Sequence, residues 1–306
     1  MPHMEHKDIV DVIIIGGSYA GLSAAMALGR SLRSVIIIDD GAPCNRQTPH
    51  SHNFLTQDGQ TPSEISALGK KQVLAYPSIS WLTDRAIAAK RSVDALFTVK
   101  TKSGKSIQAK KIILATGIHD KLPDIEGFSA CWGITAIHCP YCHGYEFRDE
   151  PTAILAQGER AMHLASLVRN LTPQLTIITG EKADFDAAQL AKLKKNNVSL
   201  VEQELTSISH QNGKIETLTF KNGDQLAVKA LYAAVPFSQS SDLHQQLGCD
   251  ENDLGYIKID NFQKTNVPGV YACGDNSAMM RSVANAIYSG NLTGAMVNKE
   301  LVDEQF

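Results

Sequence analysis

Cys139 and Cys142 stand two residues apart in the stretch "CPYCHGYE", with His143 directly after the second cysteine and His138 directly before the first. Half a zinc site, a local structural disulfide and a redox couple all use this spacing. Zinc needs four ligands around one ion. The chain has no second CxxC, and His138, Cys139, Cys142 and His143 lie too close in sequence to converge on one tetrahedron. A disulfide closing so short a segment gains little, because stabilisation grows with loop length. The redox reading has local support: Pro140 suits the first position of a helix, which puts Cys139 at the helix N-terminus near unpaired N–H groups. That setting lowers a thiol pKa and makes Cys139 the exchanging nucleophile. Cys142, one turn on, faces inward. Glu146 reads as a helix-surface carboxylate and His138 as a packed strand-end histidine.

A redox pair needs a scaffold and an electron carrier. Near the start, "DVIIIGGSYAGLSAAMALGRSLRSVIIIDD" runs from an apolar strand through a Gly-rich turn into an Ala-rich helix and then a second apolar strand ending in acids. This is a βαβ unit with both strands buried. Gly16 to Gly21 fit G-x-G-x-x-G except that Ser18 stands where the second glycine usually lies. A serine is small enough to let a pyrophosphate approach the backbone N–H groups at the helix N-terminus. Asp39 closes the second strand 18 residues after Gly21, about where a carboxylate receives an adenosine ribose hydroxyl. The expectation is a dinucleotide site, with the dinucleotide itself left open. Farther on, "KKIILATGIHD" is a buried strand ending at Thr116-Gly117, and "VYACGDNSAMMRSVANAIYSG" gives a short strand at Gly274-Asp275 followed by a long helix.

Composition narrows the partners. The 306 residues allow two domains of ordinary size. Against 32 Asp+Glu stand 29 Lys+Arg, a formal charge of -3 with no basic block. Nucleic acid and membrane surfaces are therefore not expected partners. The N-terminal "MPHMEHKDIV" lacks an apolar core of secretory length, and a cytoplasmic location is expected. Six cysteines, of which only 139 and 142 are close in sequence, do not make a disulfide scaffold.

With these motifs in this order, the chain resembles the flavoprotein disulfide reductases, most closely the low-molecular-weight thioredoxin reductase family. The resemblance spans nearly the whole chain. It implies an α/β fold of two Rossmann-like dinucleotide-binding domains, the second inserted in the first: residues 1–120 and 242–306 for FAD, and 121–241 carrying the CxxC. "GYIKID" then begins the last FAD-domain strands. By resemblance Gly16, Ser18, Gly21, Asp39, Thr116, Gly117, Gly274 and Asp275 fall on FAD-binding positions. In a looser match, Asn45 or Arg46, with His50 and His52 nearby, either lines the flavin pocket or belongs to a solvated loop. Arg281 and Ser282 stand where the family has arginine and glutamine near the flavin, the serine being a departure. The resemblance also makes Cys142 the flavin-proximal thiol and Cys139 the one that exchanges with substrate, and it implies a homodimer.

Two departures bear on the direction of electron flow. Thioredoxin reductases usually follow the cysteine pair with an aspartate, and here the residue is His143, which titrates near neutrality and can take a proton from an attacking thiol and return it to a leaving thiolate. In this the chain looks like the FAD-dependent dithiol oxidases that close disulfides in natural products such as gliotoxin, holomycin and romidepsin, without nicotinamide. The second departure is the βαβ "TAILAQGERAMHLASLVRNLTPQLTIITG", where the family holds NADPH. Its turn reads Ala156, Gln157, Gly158, Glu159, Arg160, Ala161, with alanine for the first glycine and an acid near the pyrophosphate position. An alanine fits there only if the backbone avoids positive φ. After the second strand, Glu181, Asp184 and Asp186 stand against Lys182 alone, where NADPH-dependent members carry arginines for the 2'-phosphate. Glu181 could accept a ribose hydroxyl of NADH, so NAD(P)H is left doubtful. The expected partner is a small-molecule dithiol or a thioredoxin-like protein, with no metal.

Overall fold

Val12, Ile13 and Ile14 of the first apolar run have no exposed surface, as a strand covered on both faces requires. In the computed structural model of the chain, which describes residues 9–306, this run is the strand Val10–Ile15, parallel to Val35–Asp39 on one side and to Ser106–Leu114 on the other. The "MPHMEHKD" segment read above lies outside the described residues. Ile79–Thr83 extends the sheet beyond Val35–Asp39, again in parallel. Ser106–Leu114 does double duty: its first half pairs antiparallel with Phe97–Thr101, and its last residues pair parallel with Val270–Ala272. With Ala86–Arg91 outside Phe97–Thr101, the described strands form a seven-stranded sheet.

The helix Tyr19–Arg30 packs on the long helix Val283–Asp303 through small residues. A Cβ on Gly290 would run into the Ala20 backbone, and Ser23 Oγ donates to the Ile287 carbonyl at 2.7 Å. At the far end of the long helix, Glu300 receives the Lys111 ammonium at 2.6 Å, the Lys264 ammonium at 2.5 Å and the Tyr271 hydroxyl at 2.6 Å. This network fastens the helix to the sheet.

A second sheet is wholly parallel, in the order Ser199–Val201, Leu175–Ile178, Thr152–Leu155, Ala230–Ala233, Ala136–Ile137. Its helices are Gly158–Val168 and Ala187–Lys195, and a three-stranded antiparallel sheet, Leu205–Gln211, Lys214–Phe220 and Gln225–Ala227, shares its core. Both parallel sheets are Rossmann-like. The chain divides into two compact units, the first holding the chain through Arg46, Pro62–His119 and Ser238–Phe306, the second Gln47–Thr61 and Asp120–Phe237.

Three details differ from the sequence reading. The loop Gln47–Thr61 groups with the second unit, where the Gln47 and Thr48 side chains fill the space beside Gly133. The "GYIKID" stretch forms no named strand: Asn252 Oδ1 accepts the Leu254 and Tyr256 N–H groups, and the tight turn leaves one isolated bridge, Glu251 to Ile257. Likewise the last sheet strand is Val270–Ala272, and Gly274-Asp275 lie just past it.

Candidate functional site

In the first unit the separated sequence motifs meet at the C-terminal ends of the parallel strands, where open α/β sheets place ligands. Gly16 follows Val10–Ile15 with φ 103°, and a Cβ there would collide with the Ala115 carbonyl, so only glycine lets the first turn nest against "ATG". Ser18 occupies the N-cap of Tyr19–Arg30 without a side-chain capping bond, leaving the first helical turn uncapped by its own chain. Gly21 holds the next close approach, over the Gly16 carbonyl. The Asp39 carboxylate accepts the Gly17 N–H at 2.6 Å and the Gly41 N–H at 2.9 Å. It closes the strand pair where sequence placed it.

The "GD" turn is tied to the same place by a residue that sequence reasoning passed over. Asn276 Nδ2 donates to the Leu114 carbonyl at 2.9 Å and to Thr116 Oγ1 at 3.3 Å. Its Oδ1 has no partner although the residue is fully buried. Gly274 N–H donates to Ser289 Oγ at 3.1 Å, Asp275 lies 3.8 Å from Arg281, and Ser282 caps the last helix by accepting the Asn285 N–H at 3.1 Å. Gly117 follows Thr116 with φ 65°. The crowded glycine cradle, the uncapped helix start and the orphaned Asn276 amide oxygen fit a dinucleotide pyrophosphate and its ribityl or ribose hydroxyls. Arg46 is exposed and donates only to the Pro43 carbonyl, whereas Asn45 Nδ2 reaches the Tyr19 hydroxyl at 3.3 Å.

In the second unit, Cys139 and Cys142 are joined by a disulfide, with Cα atoms 5.3 Å apart. Cys139 is the N-cap of the short helix Pro140–His143, which follows the edge strand Ala136–Ile137. The turn closes on Gly144, where a Cβ would strike the Pro140 carbonyl and the Leu171 side chain and stand 3.0 Å from the Tyr232 hydroxyl. His143 is half-buried; desolvation holds its imidazole below the usual 6.5, Glu146 pulls it up and His52 pushes it down. His52 Nε2 lies 3.5 Å from Glu146 and its Nδ1 3.6 Å from Asp58. Glu146 is therefore engaged, where sequence alone gave a bare surface carboxylate. His50 Nδ1 meets the Gly59 carbonyl at 3.0 Å, and His138 packs beside Trp132, ring centroids 6.1 Å apart.

The turn after Thr152–Leu155 is tied down by its own side chains. Ala156 avoids positive φ, as alanine requires, and Gly158 takes φ 54°. Gln157 straps this turn to the stretch after the next strand: its Nε2 donates to the Lys182 carbonyl and its Oε1 accepts the Asp184 N–H, each at 3.2 Å. Gln189 Nε2 donates to Glu159 Oε1 at 2.6 Å, and Asp186 caps its helix through the Gln189 N–H. An acid thus sits at the helix start, and Lys182 faces Glu181, Asp184 and Asp186 in that stretch. These residues do not fit a 2'-phosphate.

The sequence model for the pyridine nucleotide-disulphide oxidoreductases matches residues 10–290. The chain belongs to this family. It is 31% identical to the thioredoxin reductase tcpT of Claviceps purpurea, over 98% of this chain and 96% of that one. Its fold is similar to the putative thioredoxin reductase TrxB of Bacillus anthracis, with TM-score 0.92 at 27% identity over 97% and 100% of the two chains. It is equally similar to HlmI, with TM-score 0.92 at 28% identity over 99% and 95%.

As a pyridine nucleotide-disulphide oxidoreductase of thioredoxin reductase type, the protein is an FAD-dependent enzyme. Asn276, Gln157, Tyr232 and the His52–Glu146 pair escaped the sequence reading. Each lies against a group at least 20 residues away in the chain, and only Asn276 had a sequence signal, its place directly after "GD". Among the described residues no three His, Cys, Asp or Glu side chains gather as a metal site, and no helix is long and apolar enough to cross a membrane.

Proposed function

We propose that the enzyme is a dithiol oxidase. The first unit holds FAD through Gly16, Ser18, Gly21, Asp39, Thr116, Gly117, Gly274 and Asp275, with Asn276 as a further donor-acceptor. The second carries the Cys139–Cys142 couple. The observation that supports this direction of electron flow is the second Rossmann-like turn, where alanine stands for the first glycine, Gln157 is bonded to the stretch after the next strand and the acid Glu159 stands at the helix start, where a dinucleotide pyrophosphate would need to approach.

In this reading His143 takes the proton of a substrate thiol, and the substrate sulfur attacks Cys139. The Cys139–Cys142 bond breaks, Cys142 leaves as the thiolate, and His143 returns the proton to it. The second substrate thiol then attacks the first substrate sulfur, expelling Cys139, so that one dithiol becomes one disulfide and the enzyme pair is left reduced. FAD, when bound, supplies the acceptor for the two electrons and passes them to oxygen or another acceptor. The low pull on His143 suits a base: desolvation keeps the imidazole neutral at physiological pH, ready to take a proton.

A second reading, an NAD(P)H- or ferredoxin-dependent disulfide reductase, is favoured by the names of relatives such as the thioredoxin reductase of Claviceps purpurea. A turnover assay with a small dithiol, oxygen or an artificial acceptor, and no nicotinamide separates the two. The oxidase forms disulfide at a steady rate under these conditions. A requirement for NADPH or reduced ferredoxin would overturn the proposal.

A further inference from the structure

The loop Gln47–Thr61 supplies His52 to the turn that follows the cysteine pair. Its shape is fixed from within. The Asn53 N–H donates to Asp58 Oδ1 at 2.7 Å, the Ser51 N–H to the Gln60 carbonyl at 2.8 Å, and the Gly59 N–H to the Ser51 carbonyl at 2.9 Å. His52 is thereby held between two carboxylates, 3.6 Å from Asp58 and 3.5 Å from Glu146. Glu146 lies in the turn Tyr145–Phe147, three residues after His143. These distances are ion-pair contacts, a small side-chain rotation short of hydrogen bonds.

Two further polar groups meet this turn: the Arg148 guanidinium, which donates to the Tyr145 carbonyl at 3.0 Å and lies 4.2 Å from the Tyr145 ring, and the Tyr232 phenol beside Gly144, 1% exposed and without a hydrogen-bond partner among the described residues. Burial and Glu146 both raise its pKa, so it stays neutral and adds no charge. His50 stacks obliquely on His52 at 6.3 Å. Burial is the largest influence on His143, and the charged neighbours that act on it are Glu146 and His52.

We propose that Glu146 and His52 are positioning residues for His143: Glu146 holds the positive charge that His143 gains with the substrate proton, and His52, anchored on Asp58, limits that hold so that the proton is released. This rests on the reading of His143 as the base. One proton passes from the substrate sulfur to His143 and from His143 to the departing Cys142 thiolate, so no further reactant is consumed. Glu146 and His52 oppose one another at His143 in just this sense, the first raising and the second lowering its affinity for the proton.

The test uses the FAD-loaded full chain with histidine labelled for NMR titration, alongside the pH dependence of disulfide opening by dithiothreitol under anaerobic conditions. Glu146→Gln lowers the His143 midpoint by about one unit, as expected for loss of a neighbouring opposite charge, and His52→Gln raises it. Glu146→Asp, which keeps the charge, restores the wild-type direction and guards against a folding artefact. Unmoved His143 midpoints, or shifts of one sign in both variants, would overturn the inference. The control His143→Gln tests the underlying reading separately: if it leaves the pH limb of disulfide opening intact, His143 is not the base, whatever the titration shows for Glu146 and His52.

Discussion

His143 is the residue that most distinguishes the chemistry of this pair, and its environment gives a signed expectation. Desolvation holds the imidazole below 6.5, against the pull of Glu146. A base works in its neutral form, so the rate of thiol exchange should fall as pH drops through a value below 6.5 and level off above it. His143→Gln should slow exchange about a hundredfold near neutrality and abolish that limb, since positioned proton transfer contributes on this order. Cys142→Ser should abolish turnover with a dithiol while leaving FAD bound, because the cofactor positions named above lie elsewhere in the chain; retained turnover would remove the couple from the reaction. Cys139, Cys142 and His143 were legible because their chemistry is written in adjacent residues. His52 and Glu146 were not, because nothing local says that position 52 meets position 146.

At the scale of elements, the βαβ turns and the strands around them were readable from Gly placement and buried apolar runs, and Gly16, Asp39, Thr116 and Gly274 do meet at one sheet edge. What was misread was "GYIKID", where the family resemblance implied a strand but Asn252 spends its side chain on a turn. It also left the Glu300 network unseen, since Lys111, Lys264 and Tyr271 are far apart in sequence. Burial raises the Glu300 carboxyl, but the hydrogen bonds from Lys111, Lys264 and Tyr271 outweigh it and hold the group at about 2, against 4.5 when free. A depressed carboxylate stabilises the fold above its unfolded pKa and loses that contribution as pH falls through the folded one. Urea midpoints should therefore drop between pH 4.5 and about pH 2 in the wild type more than in Glu300→Gln. At neutral pH the same variant should lose on the order of 1 kcal/mol, because Lys111, Lys264 and Tyr271 lose their shared charged acceptor while Lys111 keeps its second pair with Glu304. An unchanged midpoint would show the network to be solvated.

Across the whole molecule, one Rossmann-like unit carries a crowded glycine cradle, and the other has alanine for its first glycine, Gln157 bonded to the stretch after the next strand and an exposed acid, Glu159, at its helix start. The glycine fingerprint and its loss were both legible; the strap across the second cradle, made between side chain and distant backbone, was not. In the oxidase reading proposed above, electrons enter through the cysteine pair. Calorimetry with NADPH and NADH should accordingly show no binding to the second unit in the intact protein, and Gln157→Ala should not create a site for NADPH, because Glu181, Asp184 and Asp186 remain to repel the 2'-phosphate. The decisive measurement is an anaerobic spectral titration of the FAD-loaded enzyme with NADPH, NADH and a small dithiol in turn. The dithiol should bleach the flavin within seconds while neither nicotinamide does; bleaching by NADPH or NADH with none from dithiols would contradict the direction of electron flow proposed for this protein.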